Sequence, residues 1–262
     1  METGKTLARL QSVIETLLGP DGCPWDKEQT PLTLCDYVIE EAFELVEAIR
    51  SGDAEEAREE IGDVLFLLLF IAELYKRDGR FEFRESIEET AAKMIRRHPH
   101  VFSDLQVENQ EELLRNWENI KRGEKQAEGE RKRVFQSLPK GLPPLLRAYR
   151  IHSKAARVGF TWNDETSADA QLTSEWDEWR QALASGDAER QQEEFGDYLF
   201  MLTEIGRRRG IKANAALDGA NRKFLRRFEA MEDMAREQGT DLADMDLETM
   251  NALWAQAKLT TK

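Results

Sequence analysis

The chain has 262 residues, of which 40% are apolar and 34% charged, with 37 basic against 51 acidic side chains and a net charge of −14. It is long enough for one large or two modest domains, and its acidity argues against a nucleic-acid backbone as a general partner. Two cysteines, Cys23 and Cys35, form no C-x-x-C pair and indicate no disulfide framework, and the longest apolar run, Val64–Ala72, is too short to span a membrane. With no signal-like apolar stretch at the N-terminus, the expectation is a cytoplasmic protein with ordinary thiols.

Leu7, Leu10, Ile14, Leu17 and Leu18 recur at helical spacing and predict a first helix that ends at Gly19-Pro20. A turn-rich stretch follows, Gly22-Cys23-Pro24-Trp25-Asp26. Thr30-Pro31 then reads as an N-cap and first-turn pair opening a helix to Arg50. Ser51-Gly52-Asp53 is a short turn. The next helix is expected from Ala54 to Arg77, apolar all round between Val64 and Phe70, as a buried helix is. Helices over 84–97, stopping at His98-Pro99, and over 108–121 complete the first half. Residues 122–133 are almost all charged or small, and Pro139-Lys140-Gly141-Leu142-Pro143-Pro144 is the strongest breaker cluster in the chain. The second half repeats the plan with helices over 145–157, 165–184, 187–209, 214–236 and 246–258, and Gly159-Phe160-Thr161-Trp162 echoes the Trp25 turn. Alternating β-branched runs are nearly absent. The expected class is all-α, in two tandem helical-bundle domains, residues 1–122 and 145–262, joined by a charged, Pro-rich linker, 123–144.

The repeat is the main functional signal. Gly52–Leu68 and Gly186–Leu202 match at eleven of 17 positions without a gap, which marks internal duplication. At the same offset of 134 residues, Glu41, Glu44, Glu60 and Asp63 recur as Glu175, Glu178, Glu194 and Asp197. A separation of three places each pair on one helix face, and a short connection makes the two helices antiparallel neighbours, so the faces oppose. Carboxylates concentrated in this way repel one another unless a cation neutralises them. Oxygen donors without Cys or His select Mg²⁺, Mn²⁺ or Ca²⁺. The di-iron bundles use Glu-x-x-His, and no such pair exists among His98, His100 and His152. Gly62 and Gly196 sit mid-helix between two acids, where glycine costs roughly 1 kcal/mol relative to alanine; their recurrence points to a close approach by a neighbouring element. The alternative is a helical regulatory or interaction protein whose acidic blocks are solvated faces; it predicts no Mg²⁺-dependent thermal shift.

Two further elements recur. Lys93, Arg96 and Arg97 match Lys223, Arg226 and Arg227 at an offset of 130, and Trp117 and Lys121 match Trp254 and Lys258 at 137. Cations near a metal–carboxylate cluster suit a polyphosphate, although acids such as Glu88 and Glu89 also allow a salt-bridged surface helix. The tryptophans either stack on a base or pack a helix.

Glu-Glu-x-x-Glu followed by Glu-x-x-Asp resembles the all-α nucleoside triphosphate pyrophosphohydrolases. The tandem arrangement, with Cys23-Pro24-Trp25-Asp26 and Arg96-Arg97-His98-Pro99-His100-Val101-Phe102, is similar to the two-domain members of their MazG family. The resemblance implies a homodimer of tandem MazG-like domains that uses Mg²⁺ to hydrolyse nucleoside triphosphates to monophosphate and pyrophosphate, in nucleotide-pool housecleaning. It implies metal ligands at Glu41, Glu44, Glu60 and Asp63 and at Glu175, Glu178, Glu194 and Asp197. Glu40 becomes an outer carboxylate that orients or deprotonates the attacking water, and Glu41 and Glu175 are the catalytic carboxylates of the two copies. Lys93 and Arg97, and Lys223, Arg227, Trp254 and Lys258, become nucleotide contacts. One departure stands out: Ser174 replaces the Glu40 counterpart in the second copy, so the family resemblance leaves open which domain turns over.

Overall fold

A computed structural model of the chain describes residues 2–103 and 133–261, together with Leu105, Val107, Asn109, Glu112, Leu113, Asn116, Trp117, Ile120, Gly123 and Glu124. The chain divides into two compact units, Met1–Glu130 and Arg131–Lys262. Every regular element among the described residues is helical, and none of the helices is long and apolar enough to cross a membrane. Most of the charged stretch expected over 122–133, and Lys121 before it, lie outside the described residues.

In the first unit the helices are α1 (Glu2–Leu17), α2 (Pro24–Lys27), α3 (Cys35–Ser51), α4 (Ala54–Arg77), α5 (Phe83–Arg97) and α6 (Pro99–Phe102). α4 is central: α1, α3 and α5 all pack on it. Its apolar second half supplies Leu67, Leu69 and Phe70 to a core completed by Ile14, Leu18 and Leu34. α3 begins at Cys35, later than the Thr30-Pro31 signal suggests. Thr30 instead closes a separate turn, its hydroxyl accepting from Thr33 N at 3.2 Å while Thr33 Oγ1 accepts from Thr30 N at 2.9 Å. The N-cap chemistry was legible, but it belongs to the turn that delivers the chain into α3.

The second unit contains α7 (Pro144–Arg157), α8 (Glu165–Ser185), α9 (Ala188–Arg208), α10 (Ala213–Glu237), a 3₁₀ turn (Leu242–Asp244) and α11 (Leu247–Thr260). α7, α8 and α10 pack on α9, and α11 packs on α10. An apolar cluster of Met231, Ala235, Leu242, Leu253 and Ala257 joins α10 to α11.

The α3–α4 and α8–α9 hairpins are built by the same local chemistry. Gly52 (φ 83°) and Gly186 (φ 74°) end the first helix of each in the left-handed conformation that glycine adopts without strain. Asp53 and Asp187 then cap the second helix, each carboxylate accepting two backbone N–H groups. Ala48 and Ala182, fully buried at equivalent positions, let the helices meet. Gly62 and Gly196 differ from expectation: a Cβ built at either position meets nothing within 4 Å. Among the described residues, therefore, no element approaches them closely.

Candidate functional site

Each hairpin brings three of its four repeated carboxylates together. Ligand oxygens of Glu41, Glu60 and Asp63 lie within 4.8 Å of one another, and so do those of Glu175, Glu194 and Asp197. Glu41 comes from α3 and Glu60 and Asp63 from α4; Glu175 comes from α8 and Glu194 and Asp197 from α9. Antiparallel packing thus converts two Glu/Asp pairs on separate helices into one acidic centre. The remaining members, Glu44 and Glu178, stand outside the triads.

The two centres differ electrostatically. In the first, Glu60 is only 8% exposed, and its Oε2 is buried with no hydrogen-bond partner among the described residues. Burial, then contact with Glu41 and the charge of Asp63, pushes the Glu60 carboxyl up. Glu44 is pushed up by desolvation, then by the charges of Glu60, Glu40, Glu56 and Asp63. A buried carboxylate oxygen without a donor costs free energy that a cation would recover, so these residues fit a hard divalent ion.

In the second centre the carboxylates have protein partners. Gln171 Nε2 donates to Glu175 Oε1 at 2.8 Å, and Ser174 Oγ donates to Glu178 Oε1 at 2.7 Å. Arg190 Nε stands 3.6 Å from Glu194 Oε1. The outer-carboxylate position, Glu40 in the first copy, is therefore an internal donor in the second. Aromatic rings line the same hairpin: Trp176, Trp179, Phe195 and Tyr198 contact one another at centroid distances of 5.1–6.2 Å.

The basic residues fall on α5 and α10. Lys93 is half-buried on α5, and Arg97 beside it is engaged by Glu124. Lys223 is exposed on α10, whereas Arg227 is half-buried, its Nε without a hydrogen-bond partner among the described residues. Trp254 packs against the α10–α11 cluster, with Phe224 at 5.1 Å and Lys258 Nζ 5.7 Å from its ring centroid. One face of Trp254 thus serves packing, and a cation stands beside the ring.

A buried polar group in the second unit escaped the sequence reading. Glu204, 1% exposed, accepts from Arg207 Nε at 2.6 Å and Nη2 at 2.8 Å and from Thr161 Oγ1 at 3.3 Å. His152 Nδ1 lies 3.6 Å from the same carboxylate, and its Nε2 donates to the Phe200 carbonyl at 3.0 Å. The sequence-level signal was a lone Glu in an otherwise apolar stretch of α9, followed by a basic helix end.

Residues 29–102, spanning α3 to α6 and the first acidic triad, match the MazG nucleotide pyrophosphohydrolase domain. The nucleoside triphosphate pyrophosphohydrolase of Escherichia coli strain K12 is 39% identical over 255 residues, covering 95% of this chain and 96% of that protein. The nucleoside triphosphate pyrophosphohydrolase/pyrophosphatase MazG of Thermotoga maritima is 36% identical over 259 residues, covering 98% and 97%. YabN of Bacillus subtilis is 42% identical over 253 residues, which are 96% of this chain and 51% of YabN. Similarity this extensive, over both acidic hairpins and the helices that carry them, means that the chain belongs to the MazG family of nucleotide pyrophosphohydrolases.

Proposed function

We propose that the chain is a Mg²⁺-dependent nucleoside triphosphate pyrophosphohydrolase that cleaves between the α- and β-phosphates and releases monophosphate and pyrophosphate. Mn²⁺ fits the same donors. The observation that carries this reading is the doubled carboxylate triad, with the unpartnered Glu60 Oε2 at its buried end. A bound divalent ion would neutralise phosphate charge and lower the pKa of its water. Glu41, Glu44, Glu60 and Asp63 would hold it in the first unit, and Glu175, Glu178, Glu194 and Asp197 in the second.

The chain's own groups do the rest. Glu40, exposed and close enough for its charge to act on Glu44, orients the attacking water and takes its proton. Ser174 cannot do this, and Glu175 is the carboxylate left for the task in the second unit. Lys93 and Arg97, or Lys223 and Arg227, hold the departing phosphates. Trp254, with Lys258 alongside, offers a ring face to the base; stacking of this kind is tolerant of base identity and supports broad preference in a housecleaning role in the cytoplasmic nucleotide pool. A homodimer completes the reading. Ile39, Phe43 and Ile49 on α3 and Ile61 and Leu68 on α4 are each at least 47% exposed, an apolar face of the kind that marks association. We place the tandem domains at 1–122 and 145–262 with 123–144 between them.

The test is pyrophosphate release from a panel of common and damaged triphosphates, with and without Mg²⁺. Glu41→Gln and Glu175→Gln are compared singly and together. The double variant is expected to lose about a hundredfold or more of the rate, as when preorganised charge stabilisation is removed. Full activity in it would sink the metal assignment.

A further inference from the structure

The carboxylates of the acidic hairpins are repeated, but the groups beside them are not. At the offset of 134 residues, Gln171, Ser174 and Arg190 take the places of Tyr37, Glu40 and Glu56. Gln171 Nε2 donates to Glu175 Oε1 at 2.8 Å, and Ser174 Oγ donates to Glu178 Oε1 at 2.7 Å, each bond spanning one turn of α8. Arg190 Nε stands 3.6 Å from Glu194 Oε1. In each case it is one oxygen of the carboxylate that the protein engages.

The first copy uses the same positions otherwise. Tyr37 sets its ring edge-on to Trp25, with 5.9 Å between centroids, and Glu40 and Glu56 are themselves acids. Glu60 Oε2 is buried without a partner among the described residues. The second triad, like the first, offers oxygen donors alone, converging within 4.8 Å, and so fits a hard divalent ion. What separates the two is the freedom of those carboxylates to turn. Gln171 and Glu175 are both half-buried, so their hydrogen bond is partly shielded from the water that would otherwise replace it. Ser174 is exposed, and the Glu178 it holds stands outside the triad.

We propose that Gln171, with Ser174 as a weaker companion, is a positioning residue that sets cation selectivity: by holding Oε1 of Glu175 it favours Mg²⁺ or Mn²⁺ over Ca²⁺ at the second triad, a discrimination that the first triad lacks. This deepens, and rests on, the proposed reading of the triads as divalent-cation sites. Ca²⁺ takes about six to eight oxygens in a flexible shell and uses both oxygens of a carboxylate readily, whereas Mg²⁺ demands a near-ideal octahedron and keeps several waters. A carboxylate with one oxygen held by a donor cannot turn both toward an ion without giving up that hydrogen bond. It presents the other oxygen in a fixed orientation, which suits the smaller ion. Partners of this outer kind orient metal ligands and tune their affinity.

The test is displacement of Mn²⁺ by Mg²⁺ and by Ca²⁺, followed by the electron paramagnetic resonance of the free Mn²⁺, on the full chain with its first triad silenced by Glu41→Gln and Glu60→Gln. Gln171→Met and Gln171→Leu remove the donor and keep a good helix former. Each is expected to raise Ca²⁺ affinity relative to Mg²⁺ on the order of tenfold, with the melting curve unchanged because a pair of this spacing contributes little to stability. Ser174→Ala should shift the ratio in the same direction by less, and Ser174→Thr, which keeps the hydroxyl, should leave it where it was. In the reciprocal chain, with Glu175→Gln and Glu194→Gln, Tyr37→Gln is expected to lower Ca²⁺ affinity relative to Mg²⁺ at the first triad. Mn²⁺ binding with a ratio that neither Gln171 variant moves overturns the selectivity role and leaves the proposed function standing. A chain that binds no Mn²⁺ at either triad, and releases no pyrophosphate with Mg²⁺, overturns both.

Discussion

α4 and α9 occupy the same place in their units and match in register, yet one is apolar at its buried end and the other ionic. Leu69 and Phe70 of α4 become Thr203 and Glu204 of α9, all within 3% exposure, and Glu73 becomes Arg207. Over the same helices Glu60 and Asp63 recur unchanged as Glu194 and Asp197. Duplication has thus left the acidic centre alone while the support beneath it was rebuilt, which separates what the chemistry requires from what packing merely permits. Apolar burial at Phe70 is non-directional and indifferent to pH. The Glu204 group is directional, and its stability depends on which protons are bound.

The largest expected effects test this difference. Phe70→Ala should cost about 3–5 kcal/mol through lost burial and the cavity left behind. Glu204→Ala should also cost about 3–5 kcal/mol, because Arg207 is left buried without its partner. Acid separates the two. Burial holds His152 below its ordinary 6.5, so as pH falls the unfolded chain takes up the proton first. Its contribution is complete above about pH 6.5 and declines below it. Burial pushes the Glu204 carboxyl up, but the Arg207 hydrogen bonds and charge outweigh this and hold it below 4.5. That contribution stands above the ordinary carboxylate range and is lost as pH falls through the lowered value. Urea midpoints followed by the fluorescence of Trp162, Trp176, Trp179 and Trp254 should therefore fall between about pH 7.5 and 5 in wild type and in Phe70→Ala, and more steeply in Glu204→Ala, which removes the charge that raises the His152 pKa. A second-unit midpoint that does not move with pH would remove the ionic account of α9.

These contrasts also mark how far the sequence could be read. The hairpins were legible because their determinants are local: Gly52 and Gly186 stop a helix, Asp53 and Asp187 start one, and three-residue spacing puts the acids on one face. The repeat marks eight carboxylates, four in each copy, of which the hairpins bring three in each copy together. The Glu204 group was not legible, because His152 and Glu204 are 52 positions apart in the chain and only the packing of α7 on α9 joins them. Glu124 was hidden in the same way, in a run of charge that reads as a solvated helix end. Glu44 and Glu178 share the acidic faces but not the triads, since side-chain rotation, rather than spacing, decides which oxygens converge.

A smaller effect tests the level at which the halves should be identical. Asp53→Ala and Asp187→Ala each remove a carboxylate that accepts two N–H groups at the start of the second hairpin helix. Each should cost about 1 kcal/mol, measured as a shift in urea midpoint. Equal losses would confirm that the hairpins share their local energetics. A cost confined to one unit would move the asymmetry from the tertiary environment into the turn itself.

The smallest expected effect concerns charge around the triads. Glu40 and Glu56 of the first copy are Ser174 and Arg190 of the second, which makes the second environment less negative by one unit at Ser174 and two at Arg190. Arg190 is 47% exposed and stands 3.6 Å from Glu194, so its influence is partly screened by solvent. Arg190→Glu should raise Mn²⁺ affinity at the second triad about two- to fivefold, the factor for an exposed interaction of up to about 1 kcal/mol. Glu56→Arg should lower affinity at the first triad by a similar factor. Each is read by Mn²⁺ titration with the opposite triad silenced, by Glu175→Gln with Glu194→Gln or by Glu41→Gln with Glu60→Gln. Both effects should shrink as salt is added, because exposed charges are screened within about 10 Å at 0.1 M ionic strength. If neither exchange moves the affinity, the charges at 56 and 190 are spectators. The difference between the centres then rests on the groups that touch the carboxylates directly: Gln171 on Glu175, Ser174 on Glu178, and the open Oε2 of Glu60.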